Sequence, residues 1–264
     1  MQFKPAVKYQ SRLRLALIGP AGSGKTYSSL NIARYLGDKV ALVDTEHGSA
    51  SKYADLFRFD VLELTSFSPQ VYVDAIRAAV GYDVLILDSL SHAWMGKDGA
   101  LELVDRAAKR AGNSFAAWRE VTPLHNMLVE TMLSSPLHLI VTMRSKMAYV
   151  VEMDDKTKKT TVRKVGMQPV QRDGLEYEFD VVADMDVDNT LIVSKTRCPA
   201  LKGQVIPCPG EEVASTLKAW LAGEPAPTHR ERIVTRIQDL AQESAELGEA
   251  VDVDQALLSL SSTV

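Results

Sequence analysis

The sequence predicts an α/β fold around a largely parallel sheet. Three observations point there. Short apolar runs alternate with helix-patterned stretches, the first run leads into a glycine-rich loop, and that loop opens directly onto a helix. Bulk composition agrees: 264 residues, 46% apolar and 24% charged, describe a globular chain with a core to bury. No stretch of about 18 apolar residues is available to span a membrane.

Leu13–Ile18 is the first predicted strand. Lys4, Lys8, Arg12 and Arg14 precede or open it, but the apolar stretch is too short for a signal-peptide core and runs straight into the loop. A helix follows over Lys25–Leu36, then strands at Lys39–Asp44 and Asp60–Leu64. A helix over Pro69–Val80 leads to the most apolar strand, Val84–Leu87. Gly99–Ser135 is helical, with breaks expected near Gly112 and Pro123, and Leu137–Met143 is another buried strand.

Beyond that point the period changes from helical to alternating. Ala148–Val165 reads as a β-hairpin with a charged tip at Asp154–Lys159. Strands around Phe179–Met185 and Thr190–Ser194 are joined by a turn at Asp188-Asn189, and Ala214–Leu221 is a closing helix. Gly223–Pro227 has linker composition, and an amphipathic helix is expected over His229–Leu247. The expected organisation is one domain over 1–223, then a linker and acidic helical tail over 224–264.

Charge is unevenly spread along the chain. The net charge is -4, yet residues 224–264 carry eight acids and three bases, while Val141–Arg172 carries eight bases and three acids. A basic patch on a near-neutral body fits a nucleic-acid binder with a competing tail, although charge runs are also plain solvated faces. Cys198 and Cys208 are the two cysteines, and no Cys/His cluster has zinc-ligand spacing. With no export signal, the expected compartment is the reducing cytoplasm.

The chemistry begins at Gly19-Pro-Ala-Gly-Ser-Gly-Lys-Thr26, a G-x-x-x-x-G-K-[ST] loop between strand and helix. Backbone N–H groups along Gly19, Pro20, Ala21, Gly22, Ser23 and Gly24, and on into Lys25, Thr26 and Tyr27, would curl around phosphates; proline itself lacks the donor. Lys25 would meet the β- and γ-phosphates and Thr26 would hold Mg²⁺, so ATP or a close relative is the expected ligand. Asp88 ends the strand Val84-Leu-Ile-Leu and would orient the metal. Ser89, not glutamate, follows it, so the AAA+ arrangement with a water-activating Glu directly after the Asp is absent. The remaining strand-end carboxylates are Asp44 and Glu46, and Glu46 could polarise water from a strand beside the P-loop strand or one further away.

Val43-Asp-Thr-Glu-His47 resembles the strand-end segment of RecA-type recombinases, and so does Asp88-Ser89. That resemblance implies that Glu46 activates water, that Tyr53 stacks on adenine, and that Lys195 and Arg197 of Val193-Ser-Lys-Thr-Arg197 reach a neighbouring subunit's γ-phosphate. More narrowly, most of 13–221 resembles the RecA-like ATPases of phages and prophages, including single-strand annealing ATPases. His138–Arg144, Gln168–Asp180, Ser194–Cys198 and Trp220-Leu221 carry that likeness. Arg144 stands where the family has a γ-phosphate-sensing Gln, and two roles are open to it: sensing phosphate, or pairing with Asp88 or Glu46. The family's N-terminal polymerisation segment has no counterpart in the dozen residues before the first strand, so a ring or short filament is expected. The basic hairpin lies where these proteins bind DNA. Lys156, Lys158, Lys159, Arg163 and Lys164 would neutralise phosphates and Tyr149 would stack on a base, the other reading being a solvated hairpin tip.

The resemblance implies an oligomeric Mg²⁺-dependent ATPase on single-stranded DNA. The alternative is a nucleotide-gated switch or loader that captures a protein partner through its acidic tail. A small-molecule kinase would need an arginine-rich lid, and none is evident in the sequence.

Overall fold

The computed structural model describes residues 11–153, 160–223 and Val234. Every residue of β1 (Arg14–Gly19) is buried, as its apolar run requires. The chain then forms α1 (Lys25–Leu36), β2 (Val40–Asp44), β3 (Asp60–Glu63), α2 (Pro69–Ala78) and β4 (Val84–Asp88). Next come α3 (His92–Met95), α4 (Ala100–Ala111), α5 (Ser114–Ser134), β5 (His138–Met153) and β6 (Thr160–Pro169). The last elements are β7 (Val181–Met185), β8 (Thr190–Thr196), β9 (Val205–Pro207) and α6 (Glu211–Ala222).

The strands lie in the order β3-β2-β4-β5-β1-β7-β8-β9, with β6 paired to β5 alone. From β3 to β7 all neighbours are parallel, and β8 and β9 are added antiparallel. Alternation along β1 sorts the two faces. Leu15 and Leu17 join a core with Leu30, Ile32, Leu36, Leu217 and Leu221 of α1 and α6. Ala16 and Ile18 join the other, with Tyr72, Ile76, Leu128 and Met132 of α2 and α5. A buried leucine contributes roughly 1.5–3 kcal/mol by leaving water, so this doubly covered sheet dominates the fold's stability. The predicted fold class holds.

Several boundaries differ from the sequence expectation. Gly112 does end α4, in the left-handed region at φ 65°. Pro123 does not break α5, which runs through it from Ser114 to Ser134. Burial of Ala117, Val121, His125, Leu128 and Met132 on one face outweighs the missing backbone donor. The strand expected to stop at Met143 continues as one strand to Met153, since β6 takes over as partner where β1 ends. The hairpin tip with Lys156, Lys158 and Lys159, and the tail predicted over 224–264 apart from Val234, lie outside the described residues, as do the side chains of Tyr149, Arg163 and Lys164. Among the described residues no helix is long and apolar enough to cross a membrane.

Candidate functional site

Gly24 adopts φ 77° just before α1, and no side chain caps the helix. Its first N–H groups therefore face the loop, giving the site its anion-attracting end. A Cβ on Gly24 would stand 2.2 Å from Asn189 Oδ1, so the β7–β8 turn seats directly on the loop. Asn189 also accepts from Ser28 Oγ at 3.1 Å. Gly19 is equally confined, since a Cβ there would meet Met185 O at 2.6 Å. Inside the loop, Lys25 Nζ donates to Pro20 O (2.6 Å) and approaches Ser23 Oγ (3.3 Å). Burial pushes the Lys25 ammonium below its ordinary pKa, with Asp88 and Glu46 pulling it back up and Arg144 pushing it further down. All four groups thus share one electrostatic neighbourhood.

Asp88 is 3% exposed. Thr26 Oγ1 donates to its Oδ2 at 2.6 Å and Thr142 Oγ1 to its Oδ1 at 2.5 Å. Burial raises the carboxyl pKa, and the two hydroxyl donors oppose that rise. Thr26 and Asp88 together present the hard oxygen donors that Mg²⁺ prefers, so the residues fit that metal. Among the described residues no group of three or more His, Cys, Asp or Glu is placed to hold a metal ion.

The two strand-end acids of β2 have separate tasks. Asp44 is buried and closes the turn after β2, accepting from Glu46 N (2.6 Å) and Ala50 N (3.1 Å). That leaves Glu46 projecting, where Oε1 receives Arg144 Nη2 at 2.8 Å and Nε at 3.2 Å. Of the two roles open to Arg144, this geometry has it pairing with Glu46. The strand position differs from expectation: β4 and β5 both stand between β2 and β1. Glu46 reaches the site from the loop beyond the strand end rather than from a neighbouring strand. Thr45 braces that loop, its hydroxyl meeting Asp88 O (3.1 Å), Ser89 N (2.8 Å) and His92 Nδ1 (2.6 Å).

Tyr53 ends a short 3-10 turn, Ala50–Tyr53, and packs edge-on to Tyr27 at 5.8 Å. Tyr27 also meets Phe57 at 5.2 Å, so Tyr53, the predicted aromatic contact, lies beside the start of α1. Lys195 and Arg197 lie elsewhere. Lys195 pairs with Val182, and Arg197 N donates to Asp180 O, at the amino end of β7. The P-loop follows the carboxyl end of the parallel β1, so roughly the length of a five-residue strand, about 17 Å, separates the two. Lys195 Nζ donates to the carbonyls of Glu176, Tyr177 and Phe179, and Arg197 pairs with Asp180 at 2.9 Å. They do not enter their own chain's site.

Sequence reasoning left Thr142, Thr45, His92 and Asn189 without roles. Thr142 carried one signal, a hydroxyl inside the apolar run Leu139–Met143. Asn189 carried none beyond its turn, because its contact lies 161 residues away in sequence.

A family model described as an AAA domain matches residues 11–206. No curated protein matches the chain.

Proposed function

The chain belongs to the AAA-domain family, which makes it a P-loop, nucleotide-dependent ATPase, and from that premise we propose a Mg²⁺-dependent enzyme of RecA-like type that works as an oligomer on single-stranded DNA. The supporting observation is the Glu46–Arg144 pair. No carboxylate follows Asp88 directly, and Glu46 is the projecting acid in the same electrostatic neighbourhood as Lys25 and Asp88. Arg144 lies on β5 where that strand leaves the sheet to form the basic hairpin. The water-positioning acid is thereby tied to the base of the element proposed to meet DNA.

In this reading Lys25 and the loop N–H groups hold the phosphates, Thr26 and Asp88 hold Mg²⁺, and Glu46 orients water once Arg144 releases it. Tyr27 and Tyr53 flank the base. Lys195 and Arg197 serve a neighbouring subunit's site, and Lys156, Lys158, Lys159, Arg163 and Lys164 contact the strand. α6 ends at Gly223, φ 84°, and in this reading the ATPase domain spans 1–223.

The test is the ATP turnover rate with and without single-stranded DNA, run beside native mass measurement in ATP. Stimulation by DNA in an ATP-dependent assembly supports the proposal. Assembly without any DNA effect, in a protein that retains no oligonucleotide at low salt, replaces it with the nucleotide-gated switch.

A further inference from the structure

Beside the hairpin root lies a cleft of about 440 Å³ that the nucleotide site does not use. Trp94, Trp118, Lys146, Gln171, Arg172 and Asp173 line it, and its volume lies in the range of small-ligand sites. The two indoles are 28° from parallel with centroids 5.7 Å apart, and both stay partly exposed. His125 supports Trp94 edge-on at 5.7 Å. Packing against Val104, Ala107, Ala117 and Val121 explains the apolar floor. It does not explain the cations at the rim. Lys146 is exposed and Arg172 half-buried, and among the described residues no carboxylate forms an ion pair with either.

Indole faces bordered by two bases and one acid suit a planar ring carried on an anionic chain. The ring stacks while the cations take the charge. Gln171, the lining's amide, is largely committed, with one Nε2 hydrogen at most left for a base edge. Its Nε2 donates to Leu90 O at 3.1 Å, and its Oε1 accepts from Arg172 N at 2.9 Å with His125 Nε2 at 3.3 Å. Lys146 also stands at the foot of the hairpin ladder, where it pairs with Gln168.

We infer that the Trp94–Trp118 cleft takes an unstacked base of a single-stranded nucleic acid, with Lys146 and Arg172 holding the phosphates on either side. The inference rests on the proposed DNA reading and gives that reading a specific, sequence-independent site. It also places the strand close to the chemistry. Lys146 is two residues beyond Arg144, and Gln171 is anchored to Leu90, two residues beyond Asp88.

The experiment titrates the full chain, in Mg²⁺ and ATP at low salt, with fluorescent oligo(dT) read by anisotropy and unlabelled oligo(dT) read by tryptophan emission. Trp220, packed against the opposite core, supplies a constant background. Binding should quench emission. Trp118→Ala should weaken affinity roughly ten- to a hundred-fold, with Trp118→Phe recovering most of it. Lys146→Ala should lower the slope of log affinity against log salt by about 0.7. If Trp118→Ala does not melt cooperatively, the wild-type quench and the Lys146→Ala slope decide. Tight binding without quenching, and with both variants equal to wild type, overturns the cleft and leaves the DNA reading standing. No oligonucleotide bound by the wild type overturns both.

Discussion

Arg14 sits with its guanidinium beneath the start of β1, 6% exposed, donating to the carbonyls of Leu13, Leu137, Leu133 and Ser135. It closes the carboxyl end of α5, where helix carbonyls have no partners of their own. Arg14→Met should cost about 3 kcal/mol in denaturant unfolding, because buried acceptors are left bare. Glu46→Gln should behave oppositely. Its ion pair is partly exposed and contributes under about 1 kcal/mol, so stability should barely move. ATP should still bind while turnover falls roughly 10²- to 10⁴-fold, as single-turnover assays would show. His138 gives a pH dependence. Its Nδ1 accepts from Leu13 N, and burial, with Arg12 and Arg14 nearby, pushes its pKa from 6.5 down to about 4. The unfolded chain binds this proton more readily, so the stabilisation is complete above pH 6.5 and is lost as pH falls towards 4. His138→Gln should flatten the decline in Tm across that window. Lys25, Thr26 and Asp88 were legible because a short motif specifies them. Arg14, Thr142 and Asn189 were not, since, Leu13 aside, the partners cited for them lie more than 50 residues away in sequence and only the fold brings them together.

At the scale of elements, period was the readable quantity. α1 begins and ends where the sequence puts it, between Gly24 and Gly37. The four-residue α3 and the three-residue β9 were missed, being too short to show a period. Pro123 was misjudged for a different reason: local chemistry argues for a break, whereas the buried stripe of α5 decides. Pro123→Ala should therefore raise stability by roughly 1–2 kcal/mol, read by thermal unfolding, as the helix regains a backbone donor. A decrease would show that the ring itself packs productively. In the P-loop, Gly24→Ala must strain a left-handed residue and displace Asn189, so nucleotide affinity should fall even if the fold survives.

For the whole molecule, sheet order governs how sites can combine. The sequence yields parallel strands but not their order, and order is what put β4 and β5 between β2 and β1. It also put Lys195 and Arg197 at the sheet end opposite the P-loop. If they act across an interface, Arg197→Ala and Lys25→Ala proteins, each inactive alone, should regain part of their ATPase when mixed. No recovery in confirmed mixed assemblies would remove Arg197 from the proposed trans role. β5 has one further consequence. Its 16 residues form a rod of roughly 50 Å, clamped in the sheet up to Arg144 and, among the described residues, paired beyond it in the ladder with β6. Such a rod is a cantilever: a sideways load on its free arm bends it most at the clamp. Arg144 stands at that clamp with Glu46 in its grip, so a small tilt of the arm is felt first as torque on the carboxylate.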